Sequence, residues 1–189
     1  MTKSATEAIG RHLNDWFGGH QVYALDPPAD LADRVPGLQI VEVPAGPRLA
    51  LCTYLTMGCF DAVGMNGQGT EFVLTAGEPD AAHVESVAMA AAQHCGTPAG
   101  RLDRGSVVPL GRPWLPDSTC DRLLVTLPYP YGPNFEFVRW KRNTIRLLWL
   151  LPITPAEGAF IAVDGVEAFE ARLEGMSVSF TDPTRPSVV

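Results

Sequence analysis

Several residue groups in this sequence are of types that do chemistry, and their spacing decides which chemistry is open to them. The stretch Gly64-Met65-Asn66-Gly67-Gln68-Gly69 invites a phosphate loop. Such a loop needs a glycine turn that opens a helix, because the first helical amides hold the anion. Here the glycines precede the strand-like run Thr70 to Thr75, and no Gly-Lys-Ser/Thr follows. A connection between strands is the simpler reading. His94 and Cys95 are adjacent, and His83 stands eleven positions earlier. Adjacent helical residues point about 100° apart. Without a C-x-x-C or H-x-x-x-H pair, no metal site is expected, and the histidines are read as surface or half-buried. No G-x-S-x-G elbow is present, which argues against an α/β-hydrolase. Glu71, Glu136 and Asp61 could pair as acid and base, but any acidic sheet protein offers such pairs. Cys59 lies in a predicted loop after Gly58 and would be reactive if positive charge lowered its pKa. No catalytic residue, cofactor or metal is assigned.

Two other stretches suit binding better than chemistry. Val138 to Arg146 carries four basic residues in nine, inside an acidic chain. It reads as a charged hairpin turning at Lys141-Arg142-Asn143. Arg139 and Trp140 are of types enriched at interface hot spots, so an anionic or acidic partner is the functional alternative. In Leu127-Pro-Tyr-Pro-Tyr-Gly132 the prolines hold the backbone extended and deny it ladder hydrogen bonds. Tyr129 and Tyr131 then sit at a sheet margin, either closing the core or offering an aromatic platform.

These residues need elements to position them. Ser4 and Glu7 form an S-x-x-E start for a first helix, which Gly18 and Gly19 stop, with Leu13, Trp16 and Phe17 facing inward. Strands are predicted at Leu38–Val43, Arg48–Met57 and Thr70–Thr75, with a loop from Gly58 to Gly69. Asp80–Cys95 is a second helix, ended by Gly96 and Pro98. Residues 97–121 are irregular. Strands follow at Arg122–Leu127, Phe135–Trp140 and Thr144–Leu151. The unalternating run Leu147 to Leu151 suggests a strand covered on both faces. Thr154-Pro155-Ala156-Glu157 opens a helix that turns Phe160 and Val163 inward. After Asp164-Gly165, a final helix carries Val166, Phe169 and Leu173 on one face and Glu167, Glu170 and Glu174 on another. Residues Thr181 to Val189 form an extended tail. The order predicts an α+β fold: a single domain with a mixed or antiparallel β-sheet and helices packed on it.

Composition narrows the function classes. The chain has 189 residues, 46% hydrophobic and 19% charged, which excludes a disordered protein. It is long enough to bury a core without a disulfide or metal. The 18 glycines and 17 prolines predict turns and short elements in place of a helical bundle. A net charge of -7 makes nucleic acid and anionic membranes poor partners. No apolar run is long enough for a transmembrane helix, and the N-terminus has no apolar core of a secretory signal. Cys52, Cys59, Cys95 and Cys120 fall in no paired spacing and are read as reduced thiols of a cytoplasmic protein.

Taken in order, several segments resemble the Suppressor of fused domain family. They are Tyr54-Leu-Thr-Met-Gly58, the glycine loop, Thr70-Glu-Phe-Val-Leu74, Leu127-Pro-Tyr-Pro, Leu150-Leu-Pro-Ile-Thr-Pro-Ala-Glu157, Gly165-Val-Glu-Ala-Phe169 and Asp182-Pro-Thr-Arg-Pro-Ser187. The resemblance covers residues 35–189, with 1–34 as an N-terminal helix and lead-in. It implies one mixed α/β domain, equivalent to the first part of a larger animal protein that clasps an extended peptide of a transcription factor. Stand-alone bacterial relatives look like immunity proteins that bind a toxin. The expectation is a non-enzymatic, immunity-type or regulatory protein whose partner is another protein, a toxin or an extended peptide segment. The family's peptide-contact region implicates Phe60 and Asp61; residue chemistry adds Tyr129, Tyr131, Arg139 and Trp140. A small enzyme with an unrecognised site and a homodimer or other homo-oligomer remain as alternatives.

Overall fold

The computed structural model describes residues 4–63, 68–176 and 178–189. In chain order the elements are helix α1 (Ala5–Trp16), strand β1 (Tyr23–Leu25), helix α2 (Ala29–Ala32), β2 (Gln39–Val43), β3 (Cys52–Met57), α3 (Cys59–Val63), β4 (Gln68–Ala76) and α4 (Ala81–Gly96). Then come β5 (Val107–Pro109), β6 (Arg122–Thr126), β7 (Phe137–Trp140), β8 (Asn143–Ile153), α5 (Pro155–Asp164) and α6 (Val166–Glu174). The strands form one sheet in the order β1-β2-β3-β4-β8-β6-β5, with β7 also paired to β8. Among the described residues only β4 and β8 run parallel; the other pairs are antiparallel. This is the expected single-domain α+β architecture with a mixed sheet.

Strand β8 divides the interior. Its residues Ile145, Leu147, Trp149, Leu151 and Ile153 join a core with α1, α5 and α6. Leu148 and Leu150 join a second core beneath α4. Leu147 to Leu151 are at most 2% exposed, so the run without alternation is covered on both faces, as its composition implied. The helix starts follow their capping residues. Ser4 Oγ accepts from the Glu7 amide at 3.1 Å, and Asp80 Oδ1 from the Ala82 amide at 2.7 Å. The Thr154–Glu157 capping box is complete, with Thr154 N–H donating to Glu157 Oε2 at 2.8 Å.

Other expectations need correction. The predicted loop after Gly58 contains α3, and its residues 64–67, which carry Gly64 and Gly67, lie outside the described residues. The strand predicted from Arg48 begins only at Cys52, because the Gly46 amide turns back onto the Leu49 carbonyl at 2.9 Å. Val163 is 84% exposed, not inward. Glu170 is buried, taking hydrogen bonds from the Thr126 hydroxyl and the Arg104 guanidinium. His83 and His94 are both buried, against the surface reading. The tail is anchored: Arg185 and Val188 are buried. Among the described residues no helix is long and apolar enough to cross a membrane.

Candidate functional site

One end of the sheet gathers the basic hairpin, α3 and the chain that leaves α4. The hairpin turns through Lys141, whose φ is 56°, into Arg142. Its register pairs Phe137 with Arg146 and Arg139 with Thr144. On the far side of β8, Thr70 of β4 pairs with Arg146. Directly opposed residues share a face. Phe137, Arg146 and Thr70 therefore form one row across three strands, and Arg139 and Thr144 stand in the next. The wall is His94, Arg101, Leu102 and Asp103. Together these elements enclose a cleft of about 440 Å³, with Phe137 in its lining, 49% exposed.

The cleft is lined by two arginines, Arg101 and Arg146, and one carboxylate, Asp103. Arg146 donates from Nε to Glu136 at 2.7 Å and from NH1 to Asp103 at 3.2 Å. Its guanidinium carbon lies 6.0 Å from the centre of the Phe137 ring. Arg101 and Arg139 are exposed and make no ion pair among the described residues. His94 accepts from the Leu102 amide at Nδ1, 3.0 Å away, which places its proton on Nε2. Burial, aided by the Arg101 charge, pushes its pKa down to about 4, so the ring is neutral at pH 7.

Helix α3 closes this end of the sheet and is pinned from below by Glu71. The Glu71 carboxylate is buried; Oε1 accepts from the amides of Gly58 at 2.9 Å and Phe60 at 3.1 Å. Oε2 accepts from the Thr56 hydroxyl at 2.7 Å, and Thr56 Oγ1 in turn accepts from the Phe72 amide at 2.8 Å. Gly58 has φ +127°, and a Cβ there would stand 2.9 Å from the Gly37 carbonyl oxygen. Burial raises the Glu71 pKa against the pull of these hydrogen bonds.

The six residues expected to bind divide into two places. Phe60 and Trp140 meet edge to face, ring centres 5.6 Å apart, on the α1 side of the sheet. Asp61 is exposed on α3, and Arg139 on the hairpin. These four share one corner. Phe60 is only 6% exposed and Trp140 half-buried, with Lys141 Nζ 4.4 Å from the Trp140 ring centre. Tyr131 lies elsewhere and is buried. Its hydroxyl bridges Thr53 at 2.9 Å and Thr75 at 2.8 Å, near the other end of β3 and β4. Its ring stacks on Phe135, centres 4.3 Å apart. Tyr129 is 50% exposed, beside an apolar groove with Trp149, Leu173 and Phe180.

The chemical candidates are occupied by structure. Glu71 serves α3, and Glu136 pairs with Arg146. Cys59 is wholly buried, and the neighbouring Cys95 thiol and burial raise its pKa well above the ordinary thiol value, so the exposed reactive loop thiol is not found. Sequence reasoning missed Phe137, Thr70 and Arg101, and held Arg146 only as the end of the basic stretch. Alternation outward from the hairpin turn would have aligned Phe137, Arg139, Thr144 and Arg146. Thr70 and Arg101 had no local signal: the parallel β4–β8 pairing brings in Thr70, and the chain leaving α4 brings in Arg101.

Comparison with known proteins agrees with this architecture. A family model described as Suppressor of fused protein matches residues 34–186. A Suppressor of fused homologue from Neisseria gonorrhoeae is 26% identical with a TM-score of 0.83, over 97% of this chain and 96% of that one. A chain from a crystal structure of a Sufu–Fu complex superposes with a TM-score of 0.71 at 11% identity, over 100% of this chain and 93% of that one. Drosophila Suppressor of Fused gives 0.60 at 13% identity, over 97% of this chain but 50% of that one. No curated protein matches. The chain belongs to the Suppressor of fused family.

Proposed function

We propose that this member of the Suppressor of fused family works by holding a partner protein against the corner formed by α3, the β7–β8 hairpin and the Arg101–Asp103 wall. The observation that carries the reading is local charge. In a chain of net charge -7, Arg101 and Arg146 line one cleft and Arg139, Lys141 and Arg142 lie on the adjoining hairpin, with Asp103 and Glu136 the carboxylates among them. An extended segment lying there would meet two guanidiniums without ion-pair partners, the hydroxyls of Thr70 and Thr144, and the exposed Phe137 ring. Arginine and aromatic side chains are the types that carry binding energy at interfaces. A chain of the same fold takes part in a Sufu–Fu complex, which supports a protein as the partner. The burial of Glu71, whose carboxylate is taken up by the amides of α3, supports binding over catalysis.

The finer form of this reading is an immunity-type or regulatory protein in the cytoplasm that silences its partner by covering it. The acidic surface away from the corner suits a basic toxin, while the corner receives an acidic or extended piece of it. The test begins with chemical crosslinking in the source cell to identify the partner, followed by affinity measurements on the purified pair. Arg139→Glu, Arg146→Glu and Trp140→Ala should each weaken binding about tenfold or more, equivalent to about 1.4 kcal/mol. Arg172→Glu, on exposed α6 surface, should leave it unchanged. Wild-type affinity in all three corner variants would remove the corner from the interface.

A further inference from the structure

We propose that Cys59 and Cys95 form a reversible oxidation site, joined by a peroxide into a disulfide that ties the start of α3 to the last turn of α4. The four cysteines differ in their surroundings. Cys52 and Cys120 are buried, and burial raises the pKa of both. Cys95 is half-buried and touches Cys59: its Sγ lies 4.0 Å from the Cys59 carbonyl oxygen. Cys59 Sγ also lies 3.7 Å from Thr56 Oγ1. The hydrogen bond from Cys59, with help from Arg101, holds the Cys95 thiol below its ordinary pKa. Cys95 is thus the less buried and more acidic thiol of the two, and Cys59 the buried one at its side.

The chemistry follows from that asymmetry. The Cys95 thiolate attacks one peroxide oxygen; an S–O bond forms, the O–O bond breaks, and the released hydroxide takes a proton to become water. Cys95 is now a sulfenic acid. The Cys59 sulfur attacks the Cys95 sulfur, an S–S bond replaces the S–O bond, and the Cys59 proton leaves with the departing hydroxide as a second water. Two thiols and one hydrogen peroxide give one disulfide and two waters. Cys59 begins the helix that carries Phe60 and Asp61, and Arg101 stands in the cleft wall. That the bond would therefore regulate partner binding rests on the proposed function; the bond itself does not.

The test needs no partner, so its failure leaves the docking corner standing, and failure of the corner leaves the thiol chemistry standing. The reduced full-length chain is treated with hydrogen peroxide, quenched by alkylation, digested and mapped by mass spectrometry. The expected product has lost two hydrogens and contains a peptide pair joined through Cys59 and Cys95, both reversed by dithiothreitol. In Cys59→Ser the reaction should stop at a sulfenic acid on Cys95, trapped by dimedone. The proposal is overturned if Cys95 passes to the sulfinic acid while Cys59 stays a free thiol. It is also overturned if Cys95 crosslinks only between molecules, or if neither cysteine reacts. Should Cys59→Ser fail to fold, the wild-type peptide map alone decides.

Discussion

The guanidinium of Arg185 meets the carboxylate of Glu157 inside the protein, NH1 to Oε1 at 2.6 Å and NH2 to Oε2 at 2.7 Å, with side-chain exposures of 1% and 0%. Glu157 also accepts from the amides of Thr154 and Val188, and Arg185 also donates to the Pro152 carbonyl. One pair thus caps α5 and fastens the last residues of the chain to the sheet. Removing one partner leaves the other charge buried alone. Arg185→Met should destabilise the fold by about 3–5 kcal/mol in urea unfolding. The double variant Arg185→Met/Glu157→Gln should lose less than Arg185→Met alone. A double-variant loss equal to the sum of the Arg185→Met and Glu157→Gln losses would show that the pair carries no coupling.

Stability should fall on the acid side in two windows. His94 has a folded pKa of about 4 against an ordinary value of 6.5. The unfolded chain therefore binds this proton first. The stability from a neutral His94 is complete above pH 6.5 and is lost as pH falls towards 4, a change on the order of 2–3 kcal/mol. His83, also lowered by burial, acts in the same sense. Burial pushes the Glu157 carboxyl up, but Arg185 and the amides outweigh it and hold it below the ordinary 4.5. Its contribution is present above pH 4.5 and lost below. Urea midpoints from pH 7 to pH 3 should show both limbs, and His94→Gln should flatten the upper one. An unchanged upper limb in that variant would assign it to other groups.

Glu71 should behave as an anchor for α3. Glu71→Ala strands the amides of Gly58 and Phe60 and the Thr56 hydroxyl, at a cost on the order of 3 kcal/mol or more. Glu71→Gln keeps an oxygen for the two amides and should cost less. Hydrogen exchange at Gly58 and Phe60 should lose protection in Glu71→Ala. Retained protection would mean that α3 is held by its apolar contacts instead.

The two tyrosines of the Pro-Tyr-Pro-Tyr segment should separate. Tyr131→Phe deletes a hydroxyl shared by Thr53 and Thr75 and should cost about 1–2 kcal/mol. Tyr129→Ala, at a half-exposed ring, should stay within roughly 0.5 kcal/mol. Similar losses in the two would contradict their different burial.

Regular elements were legible wherever a local rule decided them. Thr154, Pro155 and Glu157 start α5 by their own chemistry, and the apolar run at Leu147–Leu151 declares a strand with two covered faces. Helix α3 was hidden because five residues after a glycine show no period, and its amides are satisfied by a glutamate from another strand. The burial of Glu170 and Arg185 was hidden for the same reason: each finds its partner far along the chain. At the corner, Arg139 and Trp140 stood out by composition. Phe60 and Asp61 came from family resemblance. Thr70 joins them only once β4 and β8 lie side by side, and Arg101 only once α4 is packed on the sheet.

That pairing has a kinetic cost. Gln68 and Thr144 are neighbours in the parallel strands β4 and β8, with α4 and the three strands β5, β6 and β7 between them in the chain. The backbone of the sheet cannot zip until a long loop has closed, so refolding should be slow for a protein of this size. Until β8 arrives, β4 presents an open, apolar edge to any other nascent chain, and aggregation during synthesis is the hazard this topology must outrun.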